Sequence, residues 1–215
     1  MEQPAGTAYL GIMSQPVYLE HLSKDKKLLK LINAIPPFTL KKRKNICLRL
    51  CASIMSQQLS TKVARVIYER FLELYDGMEP TPQQIVDTPP ATLRAIGLSN
   101  AKVSYIQNVA RYAIEHNITD KMLYKMSNEE VLDFLMPIKG VGRWTVEMML
   151  MFTLGREDVF APDDLGIQQG MIQLYKLDAS DKKALREKML KISAKWSPYR
   201  TYACLYLWRY KDAGI

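Results

Sequence analysis

The sequence predicts an all-α fold, and three observations carry that prediction. Apolar residues recur at three- and four-residue spacing through most of the chain, the period of one helix face. These blocks open on Ser, Asp or Pro and close on Gly or Pro, the residue types that start and stop helices. No segment shows convincing strand alternation, and no repeat longer than a helix pair is visible.

Taken in order, residues 1–14 are small and mixed and read as a loose end. Val17 to Ile35 sets Tyr18, Leu22, Leu28, Leu29, Leu31 and Ile32 among charges, which predicts one helix stopped by Pro36-Pro37. The basic run Lys41-Lys42-Arg43-Lys44 reads as a solvated helix start, with phosphate contact as the alternative. Asn45 to Gln58 is a buried helix carrying Ile46, Leu48, Leu50, Cys51, Ile54 and Met55. Ser60 caps the next helix, which presents Val63, Val66, Ile67, Phe71 and Leu74 and ends at Gly77.

Prolines 80, 82, 89 and 90 break residues 81–96 into short helices. Gly97-Leu98-Ser99 then opens a helix with Val103, Ile106, Val109 and Ala110, and Lys102 near its start is a candidate phosphate contact. Ser127 and Glu130 form a capping box for a helix ending at Met136. Arg143 to Leu154 is apolar on most sides and reads as a central helix. Leu165 to Tyr175, Ser180 to Trp196 and a last helix opened by Ser197-Pro198 complete the chain.

With 48% hydrophobic residues among 215, the chain has ample core. Its 30 Lys and Arg against 22 Asp and Glu leave a net charge of +8, which suggests a polyanionic partner. Three cysteines, Cys47, Cys51 and Cys204, lack disulfide-framework spacing and point to a reducing compartment. His21 and His116 lie far apart and give no zinc signature. No apolar run reaches the length of a membrane span, and no basic-then-apolar leader opens the chain. An intracellular protein is expected.

The chemistry concentrates in residues 137–168. Pro137-Ile138-Lys139-Gly140-Val141-Gly142-Arg143-Trp144-Thr145-Val146-Glu147 places two glycines at the mouth of a helix. Glycine lets backbone approach a ligand closely, and a helix start offers unpaired N–H groups and a positive dipole end. Together they suit a phosphate, and Arg143 adds a full charge. About 20 residues on, Pro162-Asp163-Asp164 makes a tight polar turn in which either Asp can cap the next helix. The residues alone do not say which Asp is structural and which chemical.

Four blocks in order, 54–60 (Ile-Met-Ser-Gln-Gln-Leu-Ser), 138–145, 159–164 (Val-Phe-Ala-Pro-Asp-Asp) and 197–203, make the stretch from about 40 to 210 similar to the helix–hairpin–helix DNA glycosylases. The resemblance is closest to the alkylation-repair branch, 3-methyladenine DNA glycosylase II. It implies two helical halves with the active-site cleft between them: 15–39 plus 160–215, and 40–159. It also implies a monomer acting on double-stranded DNA, in the cytoplasm or nucleoid of a prokaryote or the nucleus of a eukaryote.

The resemblance selects Asp164 as the catalytic carboxylate, with Asp163 as a cap or turn residue. It assigns the Lys139, Gly140, Val141, Gly142, Arg143 and Thr145 hairpin, Lys102, and the Gln57-Gln58 turn to DNA. Gln58 would fill the gap left by the extruded nucleotide, where some relatives carry Leu. Bifunctional relatives place Lys where this chain has Trp144, so a monofunctional enzyme without lyase chemistry is expected. Trp144 and Trp208 match aromatic positions of the alkylbase pocket, whereas Met148 stands where relatives often carry an aromatic. No cofactor is required by this reading. Backbone carbonyls of Met136, Ile138 and Val141 would hold a monovalent cation, and the iron–sulfur cluster of some relatives is not expected, since its four clustered cysteines are missing.

Two rivals stand beside this reading. A non-catalytic helix–hairpin–helix module that binds DNA needs neither the Asp nor the Trp pair. A glycosylase for a deaminated base needs specific hydrogen-bond donors in its pocket, and few are evident in the sequence.

Overall fold

The computed structural model describes residues 15–213, and the described residues hold helices and connecting segments without a strand. The expected loose end at 1–14 falls outside them. Thirteen α-helices follow in order: α1 Val17–Leu22, α2 Lys26–Ala34, α3 Ile46–Ser56, α4 Thr61–Glu73, α5 Pro82–Asp87, α6 Pro90–Ala95, α7 Asn100–Glu115, α8 Asp120–Lys125, α9 Asn128–Leu135, α10 Arg143–Phe152, α11 Leu165–Tyr175, α12 Lys182–Ser193 and α13 Arg200–Ala213. A 3₁₀ turn, Ala194–Trp196, extends α12.

Predicted caps explain four of the helix starts. Ser60, Ser99 and Asp164 each accept a first-turn N–H, and Ser127 with Glu130 closes a full capping box. The sequence reading passes over α8 altogether, and three further differences have a clear physical cause. Val17 to Ile35 is two helices, because Asp25 accepts from Lys27 N and Leu28 N at 2.9 and 3.3 Å and starts α2 afresh. The basic run 41–44 lies outside any helix, since Asn45 in the left-handed region caps α3 behind it. Asp181 caps α12, so that helix starts at Lys182 instead of Ser180.

α3 is wedged between α4, α7 and α10, with α9 against α10. α13 packs on α11 and α2. Buried side chains from both groups, among them Leu50, Ile54, Met149, Ile167 and Tyr206, belong to one continuous apolar cluster.

The segment entering the Asp turn is stitched to the start of α13. Arg200 grips Asp158 through Nε at 2.6 Å and Nη2 at 3.0 Å. Thr201 Oγ1 donates to Arg156 O at 2.6 Å and accepts from Val159 N at 3.0 Å. Burial pushes the Asp158 carboxyl up, but Arg200 and Ser197 outweigh it and hold it below the usual range. These bonds set the register between residues 156–164 and α13, which carries Trp208.

Candidate active site

Asp164 sits at the N-cap of α11 and is only 8% exposed. Its Oδ1 accepts the Ile167 N–H at 2.8 Å, so the cap and the candidate catalytic group are the same carboxylate. Two further donors reach it from other helices. The Trp208 indole N–H bonds to Oδ1 at 2.8 Å and the Trp144 indole N–H to Oδ2 at 2.8 Å. A carboxylate offers about four lone-pair positions, so three bonds fix its plane and leave acceptor capacity over. Asp163, the alternative, is exposed and pairs with Arg186 at 3.3 Å.

The tryptophans were expected as stacking surfaces. Their indole N–H groups have a second task, orienting the carboxylate. Trp144 remains 38% exposed and Trp208 half-buried, so ring surface is left over for a ligand.

Gly166 makes this arrangement sterically feasible. A Cβ there would stand 2.8 Å from Trp208 Cδ1, 3.0 Å from Nε1 and 3.2 Å from Asp164 Oδ1. Gly166→Ala is therefore expected to push the indole off the carboxylate and remove a hydrogen bond to a charged group. Such a bond is worth roughly 1.5–3 kcal/mol, or about tenfold to a hundredfold in base-release rate if it acts in the transition state. Single-turnover kinetics check this. In a Trp208→Phe background, which lacks the offended N–H, Gly166→Ala should add little. An unchanged rate in Gly166→Ala alone would remove Trp208 from the orienting role.

Met148 and Phe152 follow Trp144 at intervals of four on α10. Phe152 is 44% exposed, and its ring lies 5.6 Å from that of Trp208. Both residues line a cleft of about 300 Å³ between α3 and α10, opposite Arg49, Ser53 and Ser56. The family resemblance singles out Met148 and not Phe152. The same i, i+4, i+8 spacing from Trp144 would have reached Phe152.

At the hairpin, Lys139, Gly142 and Arg143 are exposed. Gly142 has an ordinary φ of −96°, and a Cβ there would meet nothing within 4 Å. Gly140 has φ +103° and abuts Tyr105, so the two glycines serve different ends. The first-turn amides of α10 after Gly142 have no intrahelical acceptor. Val141 stands apart: it is buried and its N–H closes the turn onto Ile138 O at 2.9 Å. A carbonyl has two lone pairs, so Ile138 O keeps one for the monovalent cation that the family resemblance would place against the Met136, Ile138 and Val141 carbonyls. No group of three His, Cys, Asp or Glu side chains with metal-binding placement occurs among the described residues.

Two other residues assigned to DNA are engaged internally. Thr145 is 2% exposed, and its Oγ1 accepts from Gln57 Nε2 at 3.2 Å. The Lys102 ammonium donates to Met55 O at 2.9 Å and Gln57 O at 2.7 Å, capping the C-terminal end of α3. Burial depresses its pKa. Both therefore brace the 57–58 turn instead of presenting side chains outward. Gln57 faces inward, whereas Gln58 is exposed in the left-handed region at φ +58° on the tip of the turn.

Residues 51–195 match the HhH-GPD superfamily of base excision DNA repair proteins. The chain belongs to this superfamily. It is 37% identical over 196 residues to DNA-3-methyladenine glycosylase 1 of Schizosaccharomyces pombe, covering 90% of this chain and 85% of that protein. A 3-methyladenine DNA glycosylase structure from the same organism, in complex with abasic DNA, superposes with a TM-score of 0.81 at 33% identity. That match covers 91% of this chain and 96% of the other. A DNA-3-methyladenine glycosidase from Bacillus halodurans gives a TM-score of 0.79 at 33% identity, covering 93% and 91%. HhH-GPD membership accounts for the all-helical architecture around the hairpin and the Asp turn.

Proposed function

We propose that this HhH-GPD protein is a monofunctional DNA glycosylase. It acts as a monomer inside the cell on double-stranded DNA and removes cationic N-alkylated purines, such as 3-methyladenine and 7-methylguanine. The observation that carries the proposal is the Asp164 carboxylate held by the Trp144, Trp208 and Ile167 N–H groups. A module that only binds DNA has no use for a carboxylate fixed this way.

The hairpin's free amides and Arg143 grip backbone phosphates without reading sequence. Gln58 enters the duplex as the target nucleotide leaves it, and the nucleotide enters the cleft between the 40–159 half and the 15–39 plus 160–215 half. There the indole faces receive the cationic ring, a contact worth roughly 0.5–2 kcal/mol each. Phe152 extends the aromatic wall.

The C1′–N bond breaks with its electron pair passing to the base, which leaves neutral because it arrived as a cation. No general acid is needed for that departure. The sugar acquires oxocarbenium character, and Asp164 stabilises that charge through its remaining acceptor capacity. Water adds its oxygen to C1′ and releases a proton to solvent, and an abasic site remains. Trp144 occupies the position at which a Lys would form a Schiff base, so the strand stays intact.

Duplex DNA alkylated to carry 3-methyladenine and 7-methylguanine tests this directly. Free alkylbase is expected, with strand breaks only after alkali. Breaks without alkali would overturn the monofunctional assignment. DNA binding without base release would favour a binding module or another lesion.

A further inference from the structure

Glu147 is the one buried acid near the site that the chemistry above leaves unused. It lies one turn after Arg143 on α10, with its side chain 4% exposed against 52% for Arg143. Arg143 Nη1 stands 3.7 Å from Oε1, close enough for charge pairing and too far for a good hydrogen bond. Oε2 has no hydrogen-bond partner among the described residues. A buried carboxylate this poorly served is costly when ionised, and Arg143 is its nearest compensation.

We infer that Glu147 is the resting partner of Arg143, and that transfer of Arg143 to a DNA phosphate is coupled to uptake of one proton by Glu147. The inference rests on the DNA-binding reading given above. The charges around Glu147 frame the balance. Asp163, from the turn before α11, opposes its ionisation, and Arg186 on α12 favours it. The buried Cys204 thiol of α13 senses both Glu147 and Asp164. Burial is the largest influence and Arg143 the next, and together they leave Glu147 titrating at about 7. Drawing Arg143 outward, beside a polyanion, removes the main force for ionisation. Glu147 then takes a proton from solvent, and Arg143 is free to pair with the phosphate.

The sign follows from linkage. The bound form holds the extra proton, so affinity is full below the free protein's midpoint and declines as pH rises through it. The test measures binding of a duplex with a tetrahydrofuran abasic analogue, which cannot be processed, from pH 6.5 to 8.5 at fixed ionic strength. Wild-type Kd is expected to weaken about threefold to tenfold across that range. Calorimetry in buffers of differing ionisation enthalpy should register net proton uptake. Glu147→Gln should bind with a flat pH profile and without the proton uptake of wild type. Arg143→Gln retains the acid but has no partner to surrender, so uptake should vanish as affinity falls. This second variant decides the matter should Glu147→Gln fail to fold. Uptake undiminished in either variant, or absent from wild type, overturns the coupling. Failure of wild type to bind the duplex would instead overturn the DNA-binding reading.

Discussion

Asp164→Asn is expected to slow single-turnover base release by about a hundredfold to a thousandfold, the usual scale for removing one preorganised electrostatic group. The cap on α11 should survive the change. Asn caps helices about as well as Asp, so the 2.8 Å bond from Ile167 N can persist. The indole N–H of Trp208 can keep the same oxygen. The loss falls on the other side, where an NH₂ replaces Oδ2 and confronts the Trp144 N–H across 2.8 Å. Donor then meets donor, and the negative charge is gone.

These two consequences are separable. Trp144→Phe removes the confronting donor while keeping an aromatic ring. If Asp164→Asn acts through charge, the double variant stays as slow as Asp164→Asn. If it acts by displacing Trp144, the double variant recovers. Asp163→Asn is the control: that carboxylate is exposed and paired with Arg186, and its loss should change the rate less than about twofold. A wild-type rate in Asp164→Asn would end the assignment.

Asp164 also shows where sequence reading reaches its limit. The Pro-Asp-Asp turn announced a cap and two acids, and local chemistry could not rank them. What ranks them physically is burial and two bonds from residues 20 and 44 positions away. No spacing rule reports an indole N–H crossing between helices. The caps at Ser60, Ser99 and Ser127 were legible because a cap is a three-residue event. Lys102 is hard to place from sequence for a related reason. Its exposed-looking position on α7 suggested a phosphate, but the free carbonyls at the end of α3 lie about 45 residues earlier in sequence and directly within its reach. The split of α1 from α2 was visible in Asp25 and outweighed by the apolar pattern on either side of it.

The hairpin glycines, alike in sequence, should separate sharply when each is replaced by Ala. Gly140→Ala is expected to damage the fold. Its φ of +103° lies outside the region an L side chain tolerates, a strain of roughly 1–3 kcal/mol. The new Cβ would also fall 2.2 Å from Tyr105 Cγ, an overlap that adds about 1–3 kcal/mol if the ring cannot yield. A combined loss of about 2–6 kcal/mol should lower the thermal midpoint by on the order of 10 °C. Tyr105→Ala in the same chain should restore the steric part and leave the backbone part. Gly142→Ala should do the reverse. At φ −96° with open space around it, the methyl is tolerated, and stability should stay within about 1 kcal/mol of wild type. That open space is where the proposed phosphate would approach. A phosphate seated against the α10 amides would meet that methyl and lose a charge-assisted hydrogen bond, about 1.5–3 kcal/mol, or roughly tenfold to a hundredfold in Kd. Thermal melts and DNA titrations on the two variants make the comparison. A stable Gly142→Ala protein that binds the duplex like wild type would move the phosphate contact away from this turn.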